Sequence, residues 1–218
     1  MSDRHSRDLT AMHALGFKVY LASRSPRRRE LLRQIGIEFE LLLVRERAPR
    51  GPDVGESVIP GESADDFVRR VCRAKASAAW VRIEERSIRS QPVLAADTTV
   101  CVEGVLLGKP ADRADAARML ELLSGKTHRV LTAVAMQFGE RIEMAVSEST
   151  VRFRELAAKD IAAYIDSGEP MDKAGAYAIQ GRAAAFIPEL RGSYSGVMGL
   201  PLYETSELIG RFARVQSA

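Results

Sequence analysis

The order of apolar and polar positions predicts short strands alternating with helices, and then a long hairpin that breaks the alternation. Lys18 to Ala22 reads as a buried strand, after which Ser25-Pro26 opens a helix. Ser serves as N-cap, Pro takes the first helical position, and Leu31, Leu32 and Ile35 share one face until Gly36 ends the turn. Phe39 to Val44 reads as a second strand, and residues 45 to 62 hold three Pro and three Gly among charges, the composition of a mobile loop. Ser63 and Asp66 resemble a capping box, followed by apolar positions at helical spacing to about Glu85, with Lys75 inside the apolar stripe.

Pro92 to Val102 gives a strand that is apolar up to Ala96, meets Asp97, and resumes after two threonines. Asp112 and Asp115 begin another helix that Gly125 stops, and Arg129 to Phe138 pairs with Arg141 to Phe153 across a Gly139-Glu140 turn. A helix from about Ala158 to Ser167, an aperiodic stretch from Gly168 to Gly181, a strand near Ala184 to Leu190, a Gly-rich turn and a closing helix from Pro201 to about Arg214 complete the pattern. The expectation is an α/β fold, a mixed twisted sheet flanked by helices with two lobes around a central cleft. Residues 18 to 218 are read as one domain behind a frayed 17-residue extension.

Composition narrows the chemistry. Apolar residues make up 46% and charged residues 28% of the 218, close to globular averages, which disfavours disorder and fibrous classes. No apolar run approaches the roughly 20 residues of a membrane span, and the leading segment lacks the apolar centre of a secretion signal, so a cytoplasmic protein is expected. Cys72 and Cys101 have no metal-site spacing and read as reduced core residues. His5 and His13 lie in the leading segment and only His128 in the body, which argues against histidine metal clusters and Ser-His-Asp machinery. Any metal must then be held by carboxylates.

Of the 32 cationic residues 26 are Arg, the side chain suited to bidentate phosphate recognition, although net charge is only +3. Position decides what that means. Ser23-Arg24-Ser25-Pro26-Arg27-Arg28 follows a strand and starts a helix, where free N–H groups and the helix dipole favour anions and oppose cations. Arg27 and Arg28 there either build an anion site or are simply solvated. Asp97, at the point where a buried strand turns polar, needs a metal, a cation or a capping role, because burying it unpaired is expensive. Lys75 either snorkels to solvent or points into a cleft, and Lys109 sits in a tight Gly108-Lys109-Pro110 segment. The stretch from Gly168 to Gly181 holds two carboxylates, a Lys and a Gln in a glycine-punctuated loop, a composition suited to ligand binding.

Taken in order, SRSPRR at 23 to 28, RAKA at 73 to 76, AADT at 95 to 98, GKP at 108 to 110, LSG at 123 to 125, GEPMDKAGAYAIQG at 168 to 181 and GSYSGVMGLPL at 192 to 202 resemble the Maf family of nucleotide pyrophosphatases. The resemblance runs from about Lys18 to the C-terminal helix and implies a Maf/ITPase-like fold. One subgroup of that family, acting on dTTP and UTP, shows SPRR, ADT and AYxIQG. A sister subgroup acting on 7-methyl-GTP and related nucleotides shows SPWR, SDQ and SEG. This chain carries the first set at every point. The resemblance therefore implies hydrolysis of dTTP and UTP to the monophosphate and pyrophosphate. It makes Asp97 the proton acceptor, Lys75 and Lys109 phosphate-facing lysines, and Arg27, Thr98 and Gln180 the specificity positions, with Ser23 and Arg28 beside them.

The resemblance further implies Mg²⁺ or Mn²⁺ as cofactor, a nucleoside triphosphate as partner and a homodimer. One block departs from the family pattern. The usual Asp-Glu pair after the second strand is replaced by Val44-Arg45-Glu46-Arg47, so Glu46 is the expected second metal ligand with Asp97. The rival readings are an enzyme of the 7-methyl-GTP type and a non-catalytic regulator of cell division that contacts nucleic acid. Aromatics at 6% and cations spread among acids make a weak nucleic-acid footprint.

Overall fold

The computed structural model describes residues 18–45 and 53–216. The leading extension and Glu46 lie outside the described residues. Three strands begin the sheet: β1 (Lys18–Leu21), β2 (Glu38–Leu41) and β3 (Val93–Val102), joined through α1 (Pro26–Gln34) and α2 (Ala64–Glu85). These crossovers make β1 parallel to both β2 and β3. The rest of the sheet is antiparallel: β4 (Val105–Leu107), β5 (Thr127–Phe138), β6 (Arg141–Arg152) and β7 (Glu189–Arg191), in the order β2-β1-β3-β5-β6-β7 with β4 paired to β3. The expected mixed sheet flanked by helices is what forms.

The remaining elements are α3 (Arg113–Leu123), α4 (Ala158–Asp166), α5 (Tyr194–Met198), α6 (Leu202–Gln216) and three 3₁₀ turns at Glu169–Asp172, Ala174–Ala176 and Arg182–Phe186. Strand pleating sorts the core. Val19, Leu21, Leu94, Ala96, Val134 and Met136 face α1 and α6, whereas Tyr20, Val93, Ala95 and Ala133 face Val68, Cys72 and Ala76 of α2. A third cluster packs α3, α4 and the 3₁₀ turns around Val100, Val102 and Phe153. Cys72 and Cys101 are buried free thiols. Among the described residues no helix is long and apolar enough to cross a membrane.

Three local readings are corrected. The strand expected over Ala184 to Leu190 is mostly the Arg182–Phe186 3₁₀ turn, with pairing only at Glu189–Arg191. Its run of small alanines carries neither strand nor helix periodicity, so tertiary packing decides. β4 was not anticipated, yet Val102↔Val105 closes a two-residue hairpin over Glu103 (φ 50°) and Gly104 (φ 81°), the left-handed pair of a type I′ turn. The presumed Gly-rich turn holds α5, capped by Ser193, whose Oγ accepts from Gly196 N.

The pairing of β3 positions everything that follows. On one edge, β1 covers only Val93 and Leu94, and β4 covers only Val100 to Val102. β5 runs along the whole opposite edge. Between Ala95 and Thr99 the first edge is therefore open, and Asp97 and Thr98 sit in that opening.

One buried titratable group makes the fold sensitive to acid. His128, on β5, is 1% exposed, packs against Phe153 and Tyr177, and meets the Tyr177 hydroxyl with Nε2 at 2.8 Å. Its Nδ1 has no partner. Protonation would create an imidazolium with a buried unsatisfied donor, so burial pushes His128 from 6.5 down to about 4. The unfolded chain takes up that proton and the folded chain does not, so stability is complete above pH 6.5 and is lost as pH falls toward 4. The expected loss is about 3 kcal/mol. Urea denaturation from pH 7 to pH 4 checks this: His128→Gln should show a visibly flatter dependence than the wild type over that range.

Candidate active site

The opening in β3 faces a cavity of about 720 Å³ lined from both sides of the sheet, within the roughly 300–1,000 Å³ that small-molecule sites occupy. Because successive strand residues point to opposite faces, Asp97 and Thr98 reach different partners. Asp97, 7% exposed, faces α2, where Lys75 Nζ pairs with its Oδ1 at 2.7 Å. The same ammonium lies 2.8 Å from Glu56 Oε1. Lys75 therefore points into the cleft and does not snorkel. Burial works against its ammonium, but Asp97 and Glu56 outweigh that and hold its pKa above the ordinary lysine value.

Thr98 faces the other way, toward α1. Arg28 Nη2 donates to Thr98 Oγ1 at 3.2 Å, Nη1 to Ser23 Oγ at 3.1 Å, and Nε to the Gly199 carbonyl at 2.7 Å. Thr132 Oγ1, 3.0 Å from Thr98 Oγ1, donates to the Gly196 carbonyl at 2.7 Å, so the chain of donors runs from Arg28 through both threonines to α5. Gly199 caps α5 in the left-handed region at φ 116°, the conformation that offers its carbonyl to Arg28 and that a side chain would strain. Burial lowers the Arg28 pKa and Asp97 opposes that fall.

This geometry settles how Arg28 lives against the α1 dipole: it is anchored on one carbonyl and two hydroxyls, not merely solvated. Ser25 caps the helix, its Oγ accepting from Arg28 N, and Arg27 Nε reaches the Met198 carbonyl at 3.3 Å. Lys109, Asp172 and Gln180 are exposed side chains on the cavity wall, and Arg27, half-buried, lines it with them. The cavity thus collects Ser23, Arg27, Arg28, Lys75, Asp97, Thr98, Lys109 and Gln180 from segments far apart in the chain.

The pattern that defines the Maf-like proteins matches residues 18–212. The chain belongs to the Maf family. This Maf protein is 54% identical over 191 residues to the dTTP/UTP pyrophosphatase of Nitrosomonas europaea, covering 88% of this chain and 92% of that protein. It is 55% identical over 203 residues to the dTTP/UTP pyrophosphatase of Aromatoleum aromaticum, covering 92% and 98%. With the dTTP/UTP pyrophosphatase of Ralstonia nicotianae it shares 56% over 196 residues, covering 89% and 94%. Among solved structures, the Staphylococcus aureus Ham1 protein aligns at 14% identity with a TM-score of 0.44, over 91% of this chain and 99% of that one.

Sequence reasoning missed Glu56 in this Maf site. It lies in the segment read only as a loop, and its link to Lys75 is tertiary. Burial raises its pKa, but Lys75, Lys109 and Arg28 together hold the carboxylate below its ordinary value. Asp53 anchors that segment by accepting from Arg82 Nη2 at 2.6 Å and from Arg45 Nε at 2.8 Å. Among the described residues no three His, Cys, Asp or Glu side chains gather into a metal cage. Two carboxylates meeting at one ammonium still suit a hard divalent cation, which commonly takes one or two carboxylates and completes its shell with substrate phosphates and water.

Replacing Thr98 by Val keeps the strand and strips Arg28 Nη2 and Thr132 of a partner. Thr98→Val should cost about 1–3 kcal/mol of stability, measured by chemical denaturation; an unchanged midpoint would mean the guanidinium does not depend on this hydroxyl.

Proposed function

We propose that this Maf protein hydrolyses dTTP and UTP to the nucleoside monophosphate and pyrophosphate. The observation that carries the reading is the meeting of Asp97, Lys75 and Glu56 on one face of the open β3 edge with Thr98 and Arg28 on the other, in a single cavity. The names of the relatives, acting on dTTP and UTP, supply the substrate. Hydrolysis at the α-phosphorus demands neutralisation of a charged triphosphate and of the departing pyrophosphate, which is chiefly positioning and electrostatics. Arg27, Arg28, Lys75 and Lys109 provide cationic groups around one cavity for that purpose.

Asp97 accepts the proton of the attacking water. Its Oδ1 is committed to Lys75, so the mechanism assigns the water proton to Oδ2. Lys75 tethers both carboxylates and offers its one remaining donor to a phosphate oxygen. Asp97 and Glu56 would hold Mg²⁺ or Mn²⁺, which would supply Lewis-acid charge to the triphosphate and to the attacking water. Glu46, the second metal ligand expected from the sequence, lies outside the described residues; Glu56 joins it as a candidate because its carboxylate shares Lys75 with Asp97. Gln180 offers a donor and an acceptor to the pyrimidine edge, with Thr98 and Arg27 completing the specificity set.

The same reading treats residues 18 to 218 as one catalytic domain and places the enzyme in the cytoplasm as a homodimer. Family membership supports these features.

Asp97→Asn should lower pyrophosphate release from UTP and dTTP by roughly 10²–10⁴-fold with an unchanged circular-dichroism spectrum. Near-normal turnover would remove Asp97 from the chemistry. In a nucleotide panel, Gln180→Glu should lose roughly 5- to 150-fold on UTP and dTTP, the equivalent of one misplaced buried hydrogen bond. A wild type that prefers 7-methyl-GTP would overturn the substrate assignment.

A further inference from the structure

Gln180 is an exposed side chain on a loop, and selecting a base with such a group requires that the loop arrive already shaped, since ordering it on binding would spend affinity. The structure contains a device that shapes it. Tyr164, on α4 and 3% exposed, receives a hydrogen bond on its hydroxyl oxygen from Ala178 N at 3.1 Å. That hydroxyl in turn donates to Glu169 Oε1 at 2.8 Å. The other carboxylate oxygen, Oε2, accepts from Arg182 N at 3.1 Å. Two backbone N–H groups, each two residues from Gln180, are thus tied to one phenol and one carboxylate, and Gly181 N closes the turn onto the Ala178 carbonyl at 3.0 Å.

Position 181 shows how tightly the carboxylate is inserted. A Cβ there would stand 2.1 Å from Glu169 Oε1, so only glycine lets the carboxylate lie against the turn. Lys173 Nζ donates to the Glu169 carbonyl at 2.7 Å and pairs with Asp172, fixing the 3₁₀ turn from which Glu169 projects. Burial and the Glu169 contact push the Tyr164 pKa up, which keeps its proton available for donation. None of these contacts reaches the Lys75, Asp97 and Glu56 cluster.

We propose that Tyr164 and Glu169 are positioning residues for base selection, clamping the 178–182 turn at both ends so that the Gln180 amide is presented to the pyrimidine. The inference rests on Gln180 being the base-selecting side chain. Both residues act through Gln180, without contact to the reacting atoms.

The test compares kcat/KM for UTP and CTP, which differ at the hydrogen-bonding edge of the base, in the wild type, Tyr164→Phe and Glu169→Gln, each also made in a Gln180→Ala background. Tyr164→Phe keeps the ring that packs on Phe186 at 5.4 Å and deletes only the hydroxyl, so it serves if the Glu169 variant folds poorly. Each single variant should lower the UTP preference roughly 5- to 50-fold, through a higher KM for UTP with kcat within about twofold. Without Gln180, the same changes should leave the ratio where Gln180→Ala alone puts it. A UTP preference that survives in both variants overturns the positioning role alone and leaves the reading of Gln180 intact. An equal fall in the ratio with and without Gln180 also overturns it. A wild type with no preference for UTP over CTP overturns the reading of Gln180 and this inference with it.

Discussion

Charge buried at the open edge of β3 is the constraint around which this molecule is arranged. Asp97 interrupts a strand that is otherwise core, and an isolated carboxylate there would be too costly to keep. Lys75 compensates it from α2, and Glu56 compensates the lysine in turn. One residue later the strand sends Thr98 to the opposite face, where the partly buried guanidinium of Arg28 needs acceptors and finds them on Ser23, Thr98 and Gly199. Each half of the site takes its partners from segments distant in the chain, so the site depends on the assembled sheet.

The topology explains why the polar groups can be reached at all. A fully paired central strand would bury Asp97 behind a neighbour. Here the parallel strand β1 stops after covering two residues of β3, the β4 hairpin resumes the pairing three residues beyond Asp97, and the gap opens beyond the carboxyl end of β1 where α1 begins. Ligands in α/β sheets commonly bind at such carboxyl ends. Apolar residues such as Val100, Val130 and Phe67 form part of the wall of that opening, and the charged side chains line the rest. The Gln180 turn, held by Tyr164 and Glu169, forms a wall that owes its shape to α4 and not to the sheet.

Much of this was legible in the chain. Ser25-Pro26, Ser63 with Asp66, and Asp112 with Asp115 announced three helices by local capping chemistry. The Gly139-Glu140 turn announced the β5-β6 hairpin. The polar break at Asp97 drew attention because burial and charge conflict there. Most of what escaped reading was decided by tertiary contact. Lys75 was ambiguous because a stripe position does not say whether an opposite charge waits beyond it. Glu56 lacked any periodic signal, and its role appears only where the loop folds back onto α2. β4 was announced by Glu103-Gly104 between two apolar runs, a turn signal that a three-residue strand made easy to pass over. The Ala183–Ala185 run had no pattern of its own, and packing of Phe186 against Phe153 and Tyr164 decides its shape.

The measurement that bears most directly on this account is a crystal structure with Mg²⁺ and a UTP analogue whose bond between the α- and β-phosphates resists hydrolysis. The account predicts the triphosphate between the arginines of α1 and Lys75 with Lys109, the α-phosphorus facing Asp97, and the uracil edge on Gln180. A nucleotide seated with its phosphates away from Asp97 and Lys75, or outside this cavity altogether, would contradict it.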